Sequence, residues 1–296
     1  MARGAIALPR FRIHLALFAV AFLFSINYLI SKVAMRELSP LAFAWVRVVG
    51  SAIVLHFLAR NEPRLSAEDN RRMIGYSILG VVINQALFLA GLSLTSVPIA
   101  AILITTIPIF ALGAAIIAGR ERATAFKTGG IALACAGALL VLVREGLGGT
   151  SWRSFAGALM IVGNCLSFAT YLVISKPLMA RLSARIVVAR MFFYGTIFLL
   201  PVSAWSLAHQ DWRAVSMNAW ISLVVVIAGP TVGAYLINAW ALRHADSSLV
   251  AVYTYVQPVL ATLLGVTILG EELRGVVIVA GVMIVAGVWL AGRDRG

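Results

Sequence analysis

Charge is what this chain has least of. Of its 296 residues, 12% are Asp, Glu, Lys or Arg and 61% are hydrophobic, with a mean hydropathy of +0.98. A soluble domain carries roughly 25% charged residues, so the chain reads as an integral membrane protein. Acid is scarcer than base. All eleven carboxylates (Glu37, Glu62, Glu68, Asp69, Glu121, Glu145, Asp211, Asp246, Glu271, Glu272, Asp294) stand at or beyond the ends of apolar runs, and so do the four histidines. Proton-driven carriers usually place such a group within the membrane, and none stands there. Also missing are Gly-x-Ser-x-Gly, His-Glu-x-x-His, a phosphate-binding glycine loop and any Cys/His cluster at metal spacing. The chain therefore reads as no enzyme, with no metal and no cofactor. Its two cysteines, Cys135 and Cys165, lie inside apolar runs and read as packing residues, which leaves the redox compartment open. The net charge of +13 does not point to nucleic acid, because the bases are scattered singly and form no face.

What the chain does have is long apolar runs. No charge falls between Ser96 and Gly119, about 36 Å of helix at ~1.5 Å per residue and enough to cross a bilayer. Pro108 sits at its centre, where it deletes a backbone donor and frees the carbonyl of Ile104. A lipid-facing helix could not leave that carbonyl unsatisfied. The run recurs: adding 150 carries Leu92, Ala101, Pro108 and Glu121 onto Leu242, Ala251, Pro258 and Glu271. Adding 144 carries Phe24, Ile30, Ser31 and Lys32 onto Phe168, Ile174, Ser175 and Lys176. The chain is read as two copies of one unit, residues 1–146 and 147–296.

Ten spans are expected, at 12–34, 40–58, 73–93, 96–118, 126–143, 155–175, 184–207, 219–242, 247–269 and 275–292. The first exceeds a signal-peptide core and reads as a retained span. Sixteen Lys and Arg residues fall in the N-terminus and every second connection, and five fall on the other side. That asymmetry puts both termini in the cytoplasm. Five spans per copy is odd, so the second copy enters the membrane inverted. Inverted repeats let a carrier hold two related gates around one site. The fold expected is all-α, ten transmembrane helices in two inverted five-helix repeats.

Polar residues recur at helical spacing: Asn164, Ser167, Tyr171 and Ser175 on the sixth span, Thr231, Tyr235 and Asn238 on the eighth, Asn27 and Ser31 beside Tyr28 and Lys32 on the first. Asn84 and Gln85 mark the third, Thr105 and Thr106 the fourth, Tyr253 and Gln257 the ninth. Interhelical hydrogen bonding is the bland explanation; amides and phenols near mid-span on five helices suit a shared polar cavity better.

Asn27-Tyr28-Leu29-Ile30-Ser31-Lys32 resembles the opening segment of EamA-type carriers of the drug/metabolite transporter superfamily, and Arg47 matches that family's usual arginine. Ala90–Glu121, with its central proline and closing Gly-Arg-Glu-Arg, resembles the family's third-to-fourth helix segment, and Ala239–Glu272 its second copy. Pro98 and Asp246 match no motif of it. The resemblance implies a ten-helix basket with a central cavity, exporting small metabolites, often amino acids. The expectation is an inner-membrane exporter working by alternating access, with a small-molecule substrate and the lipid bilayer as its partners and a monomer sufficient. Uptake of a metabolite, or exchange of nucleotide-linked sugars, is the alternative; a membrane enzyme or a purely structural subunit is disfavoured.

The substrate-binding candidates are Asn27, Tyr28, Ser31, Asn84, Gln85, Thr105, Asn164, Ser167, Tyr171, Tyr235, Asn238, Tyr253 and Gln257, with Trp240 as a further aromatic face. Pro108 and Pro258 are expected to bend the fourth and ninth helices, freeing the carbonyls of Ile104 and Thr254. For the gates, Glu271 with Lys32 or Arg47 is expected to close one end, and Glu121 with Lys176 or Arg190 the other. Snorkelling lysines and helix-capping glutamates are the competing explanation.

Overall fold

The computed structural model describes residues 10–63, 65–147, 152–179, 181–237, 253 and 255–293, and among them every regular element is a helix. Ten are distinguished here: α1 (Arg10–Ala34), α2 (Pro40–Leu58), α3 (Ala67–Leu94), α4 (Val97–Ile117), α5 (Ala125–Leu147), α6 (Trp152–Met179), α7 (Ala184–Ala208), α8 (Met217–Ile237), α9 (Val256–Leu269) and α10 (Gly275–Gly292). All but α9 are long and apolar enough to cross a membrane; α9 is a shorter apolar helix.

Local chemistry sets the starts. The hydroxyls of Ser66, Ser96, Ser183 and Ser216 each accept from the backbone N–H three residues on, capping α3, α4, α7 and α8. Pro40 and Pro98 stand in first turns, where a missing N–H loses no helical bond. Two helices end in left-handed glycines, Gly119 after α4 and Gly270 after α9, with φ of 67° and 68°. There Arg120 N and Glu271 N reach back to the carbonyls of Ala115 and Gly265. The helix α3 starts at Ala67, six residues before the expected span. The turn carrying Glu68, Asp69, Arg71 and Arg72 is helical but polar, so hydropathy stops short where the hydrogen-bond ladder does not.

Three helices are irregular at mid-length. The helix α3 widens to a π pitch over Ile78–Ile83, and α8 does so over Ile227–Gly233, around Pro230. The helix α4 is interrupted at Thr105–Thr106. Their N–H groups bond three residues back, to Ile102 and Leu103, and the helix restarts at Ile107 with Pro108 in its first turn. Pro258 likewise stands in the first turn of α9, behind Tyr255. Thr254 lies outside the described residues, as do Asn238, Trp240 and Asp246.

The helices pack as α5 on α10, α2 on α7, α3 and α4 on α6, α1 on α8 and α9, and α4 on α9. Backbones approach closely where side chains are absent. A Cβ added at Gly287 would lie 2.6 Å from the Gly130 carbonyl, and one at Gly91 or Gly157 would lie 2.8 Å from the carbonyl of the other. Such seams are how helices associate when lipid offers no hydrophobic drive. The bundle is apolar outside, and its largely apolar core also buries polar side chains. Ile117, Val259 and Val282 are exposed, whereas Asn27, Ser31, Arg47, Gln85, Asn164 and Thr231 are buried.

Candidate functional site

The buried polar residues fall into two sets. One set completes the backbone of irregular helices. Asn164 Nδ2 donates to the Asn84 carbonyl at 2.8 Å, and Ser167 Oγ donates to the Leu79 carbonyl at 2.9 Å. The wide turn in α3 loosens its own ladder, and α6 supplies the donors that the apolar surroundings cannot. Thr105 and Thr106 donate to the carbonyls of Ile102 and Leu103 across the break in α4. Ser31 donates to Asn27 Oδ1 at 3.2 Å, one turn back on α1. Ser25 donates to the backbone carbonyl of Gln257 at 3.0 Å, which ties α1 to α9. The bonds of Asn164, Ser167 and Ser25 are the interhelical bonding that membrane bundles use widely.

A second set keeps polar atoms in reserve. Gln85 Oε1, Asn164 Oδ1, Ser175 Oγ and Arg47 Nη1 are buried without a hydrogen-bond partner. Phenols and rings stand among the same helices. Tyr28 meets Phe88 edge-on at 5.4 Å, Tyr171 meets Phe168 at 5.5 Å, and Tyr235 is met edge-on by Phe24 at 6.3 Å and Phe192 at 6.2 Å. Tyr253 sits apart, with its hydroxyl 2.8 Å from His14 Nδ1. A separate cleft of about 420 Å³ opens between α4, α5 and α6, lined by Phe110, Ile117, Leu166 and Val173 among others; no candidate named above lines it.

The two ends of the bundle differ. At one, Lys32 Nζ pairs with Glu271 Oε1 and also donates to the Thr95 carbonyl at 2.6 Å. The other carboxylate oxygen, Oε2, accepts from Val97 N at 2.6 Å, where α4 begins. Charge at a helix N-terminus is favoured, so Glu271 caps a helix far from it in sequence, and not the α10 that follows it. The cluster extends: Thr95 Oγ1 lies 3.4 Å from Ser154 Oγ, Ser154 donates to Glu145, and Arg274 bonds Glu145 at 3.2 Å. Beside it, Glu37 accepts from the backbone N–H of Ser216 at 2.6 Å and from its hydroxyl at 2.9 Å. These bonds, the backbone one first, hold the Glu37 carboxyl below its usual range.

At the other end Glu121 pairs with Lys127 at 3.1 Å. Lys176 is exposed, and neither it nor Arg190 has a partner among the described residues. Cross-links here come from Ser183, which donates to Glu62 at 2.7 Å, from Arg181, which bonds Asp69 at 2.9 Å, and from Arg120, beside Glu121, which donates to the Val173 carbonyl of α6. Of the two bases expected near Glu271, Lys32 is the one in contact. Arg47 instead donates from Nε to Thr231 Oγ1 at 3.0 Å. The parts that sequence reasoning passed over are Thr95, the Val97 N–H, Glu145, Ser154 and Arg274. No spacing joins those positions, and only the charge of Glu145 and Arg274 at span ends hinted at them.

Among the described residues nine helices are long and apolar enough to cross a membrane and a tenth is shorter and apolar, which makes this a multi-pass membrane protein. The model of the EamA-like transporter family matches residues 11–143 and again residues 155–293. The chain belongs to that family, and it is a membrane transporter. An "Uncharacterized transporter" of Archaeoglobus fulgidus is 25% identical over 94% of this chain and 96% of its own. The "Uncharacterized inner membrane transporter YedA" of Escherichia coli K12 is 25% identical over 93% and 91%. "Protein WALLS ARE THIN 1" of Arabidopsis thaliana is 23% identical over 92% and 82%. A protein known from its crystal structure shares the fold, with a TM-score of 0.64 at 19% identity over 97% of this chain and all of the other.

Proposed function

We propose that the protein exports small polar or amphipathic metabolites, amino acids among them, across the inner membrane by alternating access. The substrate sits between two inverted five-helix copies, with both termini cytoplasmic. Sixteen bases against five support that orientation, and the Escherichia coli relative is named as an inner membrane transporter. Four observations support the repeat. The family model matches twice. The packing pairs are exchanged when each helix is renumbered five on: α3 on α6 becomes α8 on α1, and α4 on α6 becomes α9 on α1. The π segments of α3 and α8 lie at corresponding positions. The helices α4 and α9 both end in a left-handed glycine.

The observation that carries the reading is the inequality of the two ends. Glu271 clasps Lys32 and the start of α4, while Glu121, its equivalent in the other copy, lies apart from Lys176. In alternating access one gate is shut while the other is open, and opening one forms the other's contacts. On this reading the Lys32–Glu271 contact marks the shut gate, and the Glu121–Lys127 pairing in place of Glu121–Lys176 marks the one able to open. Loading from the cytoplasm, release of Glu271 and closure of Glu121 on Lys176 complete the export half-cycle.

The test is efflux. Overexpressing cells are challenged with a panel of toxic amino-acid analogues and other labelled metabolites, and the protein is then reconstituted into liposomes. Expected are resistance with faster efflux for at least one compound, and downhill flux that persists without a proton gradient, as no carboxylate stands at mid-membrane. Accumulation of substrate in place of efflux would reject export, and an obligatory proton counterflow would reject the coupling.

A further inference from the structure

Arg47 stands midway along α2, 5% exposed, with no carboxylate among the described residues to answer its charge. Each of the nine described acids (all but Asp246 and Asp294) takes a partner other than Arg47. A buried guanidinium is unfavourable unless its donors and its charge are both met, and an ionisable group at this depth points to function. The side chain is held in place deliberately. Pro230 has no N–H, and α8 passes it by widening to a π pitch. Thr231 Oγ1 donates to the Val226 carbonyl at 2.8 Å and, with a remaining lone pair, accepts Arg47 Nε at 3.0 Å. Anchored through Nε, the guanidinium leaves Nη1 buried and unpartnered. Tyr235 stands one turn beyond Thr231 on the same helix, between the rings of Phe24 and Phe192. Four helices, α1, α2, α7 and α8, thus meet at one unsatisfied cation.

We infer that Arg47 is the anion-recognition residue of the transport site, its Nη1 edge taking the single carboxylate of an organic substrate, with Thr231 as its positioning residue. The inference rests on the transporter reading above and adds the class of substrate. The planar fork of arginine matches both carboxylate and phosphate. One guanidinium balances one charge, and Lys32 is held by Glu271. A carboxylate therefore fits, where a phosphate dianion would stay half-compensated. Nη1 is buried in this state, so the anion reaches it only as the junction of α1, α2, α7 and α8 parts during loading, a step beyond the loss of the Glu121–Lys176 contact.

The experiment compares small monocarboxylates with their uncharged amides, and L-amino acids with their amides, which lose the carboxylate and keep the ammonium group, in proteoliposomes of wild type, Arg47→Lys, Arg47→Gln and Thr231→Val. Wild type is expected to carry at least one carboxylate about tenfold faster than its amide, and Arg47→Gln to erase that preference, since a site built for a charged group rejects its neutral analogue. Arg47→Lys and Thr231→Val keep the preference with KM raised severalfold and kcat less affected, the signature of lost binding contacts. Tryptophan-fluorescence melting checks that each variant is folded. Where Arg47→Gln does not accumulate, an unchanged KM in both Arg47→Lys and Thr231→Val overturns the inference. Equal transport of amides by wild type, or a preference that survives in Arg47→Gln, also overturns it. A preference for phosphate monoesters that Arg47→Gln removes would overturn the carboxylate class. A wild-type protein that moves only uncharged solutes sinks this inference and leaves the transporter reading standing; one that moves no solute sinks both.

Discussion

At one end of the bundle Glu271 holds Lys32 and the N–H of Val97; at the other Glu121, 150 positions earlier, holds only Lys127. Both acids follow a helix that ends in a left-handed glycine, but Glu271 follows Gly270 directly, while Arg120 stands between Gly119 and Glu121. The neighbours differ too. Lys127 lies in the first turn of α5, where the matching position of α10 is the apolar Val277. Glu121 therefore has a local rival for Lys176, and Glu271 has none. An exposed pair such as Glu121–Lys127 contributes about 0–1 kcal/mol, whereas a charged hydrogen bond to a backbone N–H contributes roughly 1.5–3 kcal/mol. The clasp at Lys32 is the firm one, and the Glu121 end is the one free to rearrange.

The largest expected effect is at Glu271. Glu271→Lys removes both clasp contacts and sets two bases face to face, so efflux should fall by about tenfold or more, since like charges in contact repel and a helix start is left uncapped. Adding Lys32→Glu should restore only part of it, because a carboxylate at position 32 answers the new lysine without capping Val97. Full recovery in the efflux assay would mean that the cap is irrelevant, and a wild-type rate in the single variant would mean that the clasp is not a gate.

The prolines come next. Pro108→Ala returns an N–H that can bond the Ile104 carbonyl and straighten α4, which the proline opposes by about 3 kcal/mol. The variant should melt higher and transport several-fold more slowly. Pro258→Ala should do the same to α9, and a difference between the two would show which helix bends further during the cycle. Melting and efflux measured on the same preparation check both.

A smaller change is expected from Lys127→Ala. It removes the rival, leaving Glu121 to Lys176 and favouring the state with that end closed. Spin labels placed across the Glu121 end should report a shorter mean separation, with stability changed by no more than ~1 kcal/mol. An unchanged separation would mean that Lys127 does not hold this end open.

The smallest effect concerns Glu37, whose bonds to Ser216 tie the α1–α2 turn to the start of α8. Its folded pKa is depressed, so its contribution is present above the unfolded value and is lost as pH falls through the folded one. Glu37→Gln should thus melt slightly below wild type at neutral pH, and the two should converge in acid below the ordinary carboxylate range. Melting curves across that range test it, and a gap that persists in acid would assign the effect to something other than this charge.

Most of the fold was legible because it is local. A run of apolar residues makes a helix of bilayer length whatever surrounds it, and a proline removes its N–H wherever it stands. The spans, their order and the irregularity near Pro108 follow from residues within a few positions of each other. The π turns were not legible, because Ile78–Ile83 contains no residue that forbids an ordinary helix; the donors of α6, 80 to 88 positions away, complete the carbonyls it leaves. The same holds at the site. A stripe through Asn164, Ser167 and Tyr171 could be read from spacing, but the use of the first two as backbone partners could not. Sequence alone offered Glu271 two bases. Tertiary packing chose Lys32, 239 positions away, and left Arg47 with Thr231, 184 positions away. Hydrogen bonds and charges act over a few ångströms of space, and only the folded bundle brings positions so distant in the chain within that reach.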